Sequence, residues 1–270
     1  MIDLQAISKS YDKTPVLRNI SFQVAAGERV SLLGPGGCGK STILKILLGL
    51  TPPDQGEVRL LGCDMAHGED KDKLTTLKKV GMAFQQGALF DFMTVEENLL
   101  FAMEHMTDLS AQQMSDQIEK LLNIVKLSRT RRMYPHELSG GMKRRIGIAR
   151  ALATSPQVSI FDEPTSGLDP VTSTIILNMI GEIGGQNSQN TLLVSTSSVE
   201  IAIRFAERII LINEGLVVAD GSWKRLILEG SEWVRHFLGV RLIGVDIEYA
   251  RVLGLPEPFL RQHWPDYAPL

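Results

Sequence analysis

The sequence predicts an α/β fold, a parallel sheet wrapped by helices, on three observations. Short apolar runs alternate with stretches of helical periodicity between Arg29 and Ile212, as in successive β–α units. One run, Arg29 to Leu33, leads into a glycine-rich loop, GPGGCGKST, that opens a helix. Another, Val158 to Phe161, ends in the adjacent carboxylates Asp162 and Glu163. In open α/β sheets ligands gather just beyond the carboxyl ends of the strands.

In chain order, Asp3 to Ile7, Ile20 to Val24 and Glu57 to Leu61 read as strands bounded by Gly, Pro or charged residues. Ser41 to Leu50 reads as a helix with Ile43, Ile46 and Leu47 on one face, ended by TPPDQGE. Val80 to Phe84 is a short buried strand. From Thr94 to Leu138 the runs VEENLLFAM and MSDQIEKLLNIV have helical periodicity, a helical insertion. Ser139 to Ala153 continues as a helix, and Val171 to Ile183 is another. Strand signals return at Val158–Phe161, Thr191–Val194 and Arg208–Ile212.

The 270 residues are 44% hydrophobic and 22% charged, an ordinary globular composition with room for one large domain or a domain plus an appendage. A net charge of -3 and a pI near 6.0 offer no basic face for nucleic acid. Two cysteines, Cys38 and Cys63, make no disulfide framework and suit a reducing, cytosolic compartment. The start, MIDLQAISKS, is no secretory signal. No apolar run approaches the roughly 18 residues of a membrane span, so service at a membrane would go through a partner or a surface.

Gly34 to Ser41 fits G-x-x-x-x-G-K-S/T without a gap, after a strand and before a helix. Backbone N–H groups of Gly34, Pro35, Gly36, Gly37, Cys38 and Gly39 (the proline excepted) close around phosphate oxygens, and the helix N-terminus adds a positive field. Lys40 would reach the β- and γ-phosphates, Ser41 would hold Mg²⁺, and Thr42 would touch the α-phosphate. A bulky adduct on Cys38 should block nucleotide. After the second strand, Asp162 is assigned to the metal and Glu163 to the base that activates water.

Leu138-Ser139-Gly140-Gly141-Met142 lies just before that carboxylate strand. With it, the sequence resembles the ATP-binding-cassette (ABC) ATPases: LSGGM looks like their signature, and YPHELSGGMKRRIGIARAL is similar to its usual setting. The resemblance runs over residues 1–225. It implies a P-loop NTPase core of ABC type, with an antiparallel β subdomain and a helical subdomain at about 88–150. Tyr11 resembles the aromatic that stacks on adenine, with simple packing as the alternative. Gln85 matches the glutamine that senses the γ-phosphate and joins Ser41 and Asp162 at the metal. Ser166-Gly167-Leu168-Asp169 matches the loop across a dimer interface, with Asp169 at that interface. By this resemblance Ser139, Gly140 and Gly141 close in trans on ATP held by a second copy, giving a head-to-tail dimer with two ATP molecules sandwiched.

The stretch TLLVSTSSVE, 191–200, ends a strand in four hydroxyl residues. Matched to the family without a gap, Ser197 stands at a histidine that contacts the γ-phosphate and aligns water with the base, and Ser198 stands at the following Asp. A hydroxyl is shorter than an imidazole. Losing one positioned transition-state contact costs about 10²–10³ in rate, so ATP binding near normal and slowed turnover are expected. The alternative is that Glu163 and the metal suffice.

GALFDFMTVEENLLF and EWVRHFL look like stretches of the lipid-trafficking Mla/Mce-associated ATPases. That resemblance implies phospholipid trafficking with a separate integral-membrane permease, an MCE lipid-binding protein, and a place on the inner face of the cell membrane. Other readings remain open: the ATPase of a small-solute or lipoprotein-release transporter, a weakly hydrolysing regulatory subunit, and a soluble ABC protein of repair or translation. The last usually carries a long coiled coil or two cassettes, and this chain has neither. Residues 226–270 form a C-terminal extension that either meets a second copy or caps its own domain. Leu253, Leu255, Phe259, Trp264 and Tyr267 are its apolar anchors.

Overall fold

The computed structural model describes residues 1–85, 87–185, 190–243, 250–251 and 253–264. The chain runs β1 (Ile2–Tyr11), β2 (Thr14–Val24), β3 (Arg29–Leu33), α1 (Lys40–Leu47), β4 (Gln55–Leu60), β5 (Cys63–Asp64), α2 (Asp70–Leu77) and β6 (Val80–Ala83). A helical subdomain follows, with α3 (Val95–Met106), α4 (Ala111–Ile124), 3-10 turns at Ser128–Thr130 and Pro135–Glu137, and α5 (Gly140–Leu152). Then come β7 (Val158–Asp162), α6 (Pro170–Gly185), β8 (Thr191–Thr196), α7 (Val199–Phe205), β9 (Arg208–Asn213) and β10 (Leu216–Ser222). The last described helices are α8 (Trp223–Glu229), α9 (Glu232–Ile243) and α10 (Glu257–His263).

Two sheets form. A four-stranded antiparallel sheet has the order β2-β1-β4-β5, and a six-stranded sheet has the order β10-β9-β3-β8-β7-β6. In the larger sheet β9, β3, β8, β7 and β6 are mutually parallel, and β10 pairs antiparallel at the edge. The β1–β2 hairpin turns at Asp12 and Lys13, both with positive φ (46° and 67°), the I′ geometry that matches strand twist.

The parallel sheet is the one expected, but the first-third strands join the separate antiparallel sheet, as the family resemblance implied. β10 and α2 carried too little apolar patterning to be read: β10 alternates between exposed and half-buried positions, and α2 buries only Thr76. β8 also runs two residues beyond Val194. Ser195 and Thr196 are 0% and 1% exposed, because the hydroxyls at this strand end have protein partners and need no water.

One core lies between the antiparallel sheet, the larger sheet and α1, with Leu4, Ile20, Val58, Ile43 and Ile160 buried together. A second joins the helical subdomain to α6, around Leu99, Ile118, Ile146 and Ile180. Side chains start its helices: Thr94 with Glu97 and Ser110 with Gln113 form reciprocal capping boxes, each worth about 1 kcal/mol. A third core unites α7, α8 and β9 with Val234, Leu238, Leu255, Phe259 and Leu260. The described part of the extension thus packs on its own domain. Leu253 and Trp264 are partly buried there, while Tyr267 lies outside the described residues. Trp233 remains 40% exposed, stacked on Phe237 at 5.1 Å. Among the described residues no helix is long and apolar enough to cross a membrane.

Candidate active site

The sheet order puts the site together. β8 lies between β3 and β7, with Leu33 opposite Thr196 and Asp162 opposite Ser195. The glycine-rich loop after β3, the hydroxyls ending β8 and the carboxylates ending β7 therefore share one edge of the sheet.

Gly34 donates its N–H to the Thr196 carbonyl at 3.2 Å. A Cβ on Gly34 would lie 2.2 Å from the Ile212 carbonyl oxygen, so the loop can pass between β8 and β9 only as glycine. Gly39 enters α1 at φ 107°, and no side chain caps that helix. Its first-turn donors face outward unpaired by the helix itself, a cradle for phosphate. Lys40 is buried, and its Nζ donates to the carbonyls of Gly34 (2.8 Å) and Pro35 (3.1 Å). The same ammonium is 3.3 Å from Glu163 Oε1. Gly36, Gly37 and Ser41 are exposed and Thr42 is half-buried.

Cys38 is buried within the loop, and burial pushes its thiol pKa up against the opposing pull of Lys40. Thiolate is the reactive form. Cys38 should therefore alkylate more slowly at neutral pH than half-buried Cys63, and speed up as pH rises past the ordinary thiol range of about 8.5. Peptide mapping after maleimide pulses at two pH values measures this. Once Cys38 is modified, ATP binding should be lost; intact binding by the adduct refutes a blocking role.

Each of the four hydroxyl residues has a protein partner, and Ser195 and Ser197 both bond Glu163. Ser195 Oγ donates to Asp162 Oδ1 at 2.5 Å and accepts the Glu163 N–H at 3.1 Å. Thr196 gives its carbonyl to Gly34, and its Oγ1 accepts the Ser198 N–H at 3.1 Å. Ser197 donates its N–H to Glu163 Oε2 at 3.2 Å, with its hydroxyl 3.5 Å from the same oxygen. Ser198 Oγ accepts from Ile201 N at 3.4 Å and caps α7. Ser195, inside β8, turns its side chain to Asp162, and Ser197, one residue past the strand end, reaches the Glu163 carboxylate chiefly through its backbone. Glu163 itself sits at φ 46°, a left-handed conformation costing about 1–2 kcal/mol in a residue with a Cβ.

Gln85 lies just past β6, exposed, with Nε2 3.4 Å from Ser166 Oγ. Arg144, from α5, donates Nε to the Gln85 carbonyl at 3.0 Å and a second N–H to the Ser166 carbonyl. One guanidinium therefore ties the helical subdomain to the glutamine segment and to the loop after Glu163. Arg144→Ala should loosen that link and lower hydrolysis about 10-fold with little change in ATP affinity, since a hydrogen bond from a charged group is worth roughly 10–100-fold. Unchanged turnover in a steady-state assay would exclude the coupling.

The remaining candidates do not contact this cluster within the chain. Ser139 and Gly140 are exposed, and Ser139 caps α5 by accepting the Met142 N–H at 3.3 Å. Asp169 is exposed and accepts from Thr172 N at 2.9 Å; hydrogen bonds from the Thr172 hydroxyl and then its N–H lower the Asp169 carboxyl pKa. Tyr11 is 43% exposed with Lys9 Nζ 5.7 Å from its ring, so it is not a core packing residue. The sequence alone assigns no role at the carboxylates to Ser195, one of the four hydroxyls, to Ser166, part of the loop ending in Asp169, or to Arg144, within YPHELSGGMKRRIGIARAL; their contacts form only in the fold.

The donors suit Mg²⁺ with a nucleotide phosphate. Ser41, Asp162 and Gln85 offer oxygen ligands only, and no group of three or more His, Cys, Asp or Glu forms a metal cage among the described residues. Mg²⁺ takes one or two carboxylates and completes its shell with water and phosphate.

A family model described as ABC transporter matches residues 17–166. The chain is 38% identical over 231 residues to the arginine transport ATP-binding protein ArtM of Bacillus subtilis, covering 84% of this chain and 94% of that protein. It is 35% identical over 252 residues to the chloroplastic protein TRIGALACTOSYLDIACYLGLYCEROL 3 of Arabidopsis thaliana, covering 88% and 73%. A dimeric, post-hydrolysis structure of the ATP-binding cassette MJ0796 with ADP and Pi has a TM-score of 0.74 at 31% identity, covering 82% of this chain and 98% of that one.

Proposed function

The chain belongs to the ABC transporter family as an ATP-binding, ATP-hydrolysing subunit that uses MgATP, and from that premise we propose that it drives phospholipid trafficking between membranes. Its partners in this reading are a separate permease, an MCE lipid-binding protein and a second copy of itself. It works on the cytoplasmic face of the membrane.

The observation that carries the reading is the shelf built by GALFDFMTVEENLLF. Buried Asn98 holds it: its amide donates to the carbonyls of Phe90, Met93 and Thr94, and its oxygen accepts the Phe90 N–H at 2.8 Å. Phe92 is left 76% exposed beside an apolar groove of about 300 Å³ lined by Leu50, Phe84, Phe90, Phe101 and Met106. Exposed apolar surface of this kind is where a membrane partner seats. The segment is also the one that resembles the lipid-trafficking ATPases, and one relative bears the name of a galactolipid.

Phe92→Glu should abolish co-purification with the permease while ATP binding by the isolated subunit stays unchanged. Transfer of a fluorescent phospholipid between vesicles, reconstituted with permease and MCE protein, tests the substrate. ATP use stimulated by a soluble solute-binding protein instead of lipid would overturn it.

In the proposed chemistry, Glu163 takes the proton of the attacking water, Lys40 turns from Glu163 to the β- and γ-phosphates, and Tyr11 stacks on adenine. Asp162, Ser41 and Gln85 would hold Mg²⁺, which would supply charge neutralisation at the phosphates. Ser139, Gly140 and Gly141 close on the ATP of the second copy, with Asp169 at the same interface. The extension adds exposed Trp233 to the surface offered to that copy.

A slow-turnover reading is favoured by Ser197. Its shorter contact to Glu163 is a backbone N–H at 3.2 Å, which any residue but proline supplies, and its hydroxyl, at 3.5 Å, reaches less far than an imidazole. Ser197→His should raise steady-state hydrolysis about 10-fold or more, within the 10²–10³ such contacts carry. Ser197→Ala should stay near wild type. A fast wild type indifferent to both changes would leave Glu163 and the metal sufficient.

A further inference from the structure

We propose that Ser195 is the positioning residue of the catalytic carboxylates, one buried hydroxyl that orients Asp162 toward the metal and joins it to the backbone of Glu163. The inference rests on the assignment of Asp162 to Mg²⁺ under the function proposed above.

Ser195 is 0% exposed. A hydroxyl has one proton to give and lone pairs to receive. Here its partners fix the direction: an ionised carboxylate only accepts, and the Glu163 N–H only donates. The 2.5 Å contact to Asp162 Oδ1 falls in the short range of a hydroxyl–carboxylate bond. The Glu163 N–H is shared between Ser195 Oγ and the Ser195 carbonyl, each at 3.1 Å. Two contacts result at the end of β8: Ser195 holds the Asp162 side chain and the Glu163 main chain, and the Ser197 N–H holds the Glu163 carboxylate.

Replacing Ser195 by alanine leaves the second acceptor of the Glu163 N–H in place but removes the one donor to Asp162 Oδ1 among the described residues. Asp162 is nearly buried, 8% exposed, so water does not readily take the hydroxyl's place. The carboxylate then swings, and the metal is the first thing to register it.

The test titrates Mn²⁺, read by electron paramagnetic resonance, into full-length protein with ATP in a Glu163→Gln background, where nucleotide survives. Ser195→Ala should weaken Mn²⁺ affinity about 10-fold, the lower end for a bond to a charged group. Affinity for ATP in EDTA should stay within two-fold. Ser195→Thr, which keeps the hydroxyl, should restore Mn²⁺ binding; Ser195→Cys, a poor donor of similar size, should not. Asp162→Asn is the reference. If Asp162→Asn weakens Mn²⁺ and Ser195→Ala does not, the positioning role is overturned. If Asp162→Asn itself leaves Mn²⁺ binding intact, the assignment of the metal carboxylate fails first. Equal loss in the alanine, threonine and cysteine variants would mean that packing, and not the hydroxyl, matters.

Discussion

Glu163→Gln should lower steady-state ATP hydrolysis by about 10²–10⁴-fold, the range a positioned general base supplies, while the protein still binds ATP. The substitution is close to isosteric. A glutamine oxygen can keep the hydrogen bond from the Ser197 N–H, and the left-handed backbone at φ 46° is asked of glutamine as of glutamate. What disappears is the proton acceptor and the ion pair to Lys40 at 3.3 Å. Lys40 then has no carboxylate to leave when phosphate arrives, so ATP affinity should hold or rise. With two ATP molecules trapped, the variant should elute as a dimer in Mg-ATP and as a monomer without it. Size-exclusion chromatography beside a phosphate-release assay reads both effects. Hydrolysis at the wild-type rate would remove Glu163 as the base, and Asp162 would be the next residue to examine.

Lys40→Ala should weaken ATP binding by roughly 10²–10⁴-fold, as two hydrogen bonds from a charged group to phosphate each carry about 10–100-fold. The ammonium also spans the loop, bonded to the Gly34 and Pro35 carbonyls, so its loss loosens the cradle and strands Glu163 without its cation. Lys40→Arg should fail to rescue. A planar guanidinium cannot take the place of a compact ammonium in a loop this tightly closed on β8 and β9. Equilibrium binding of a fluorescent ATP analogue measures the loss, and wild-type affinity in either variant would refute the assignment.

Much of this site was legible before any fold existed. The loop from Gly34 to Ser41 and the pair Asp162-Glu163 are local: a handful of adjacent residues whose backbone freedom and charge already define what they bind. The helical subdomain was legible too, since capping residues and 3.6-residue periodicity act over neighbouring turns. Less visible were β10 and α2, where exposure leaves no apolar period to read. β8 runs two residues past the apolar stretch Thr191–Val194 because Ser195 and Thr196 find partners only in the fold, and polar strand ends look like loops in sequence.

The sequence by itself determined which residue types stand at the site: a glycine-rich loop with Lys40, the adjacent carboxylates Asp162 and Glu163, and four hydroxyls from Ser195 to Ser198. Only the tertiary structure decided how those pieces act together. Placing β8 between β3 and β7 brings residues some 30 and 160 positions apart in the chain into hydrogen-bonding range, and the end of β8 then delivers Ser195 and Ser197 to the carboxylates. Arg144 meets Gln85 and Ser166 for the same kind of reason. Such contacts depend on which strands become neighbours, a global outcome of packing two sheets and a helical subdomain around shared cores, and no local pattern of residues encodes it.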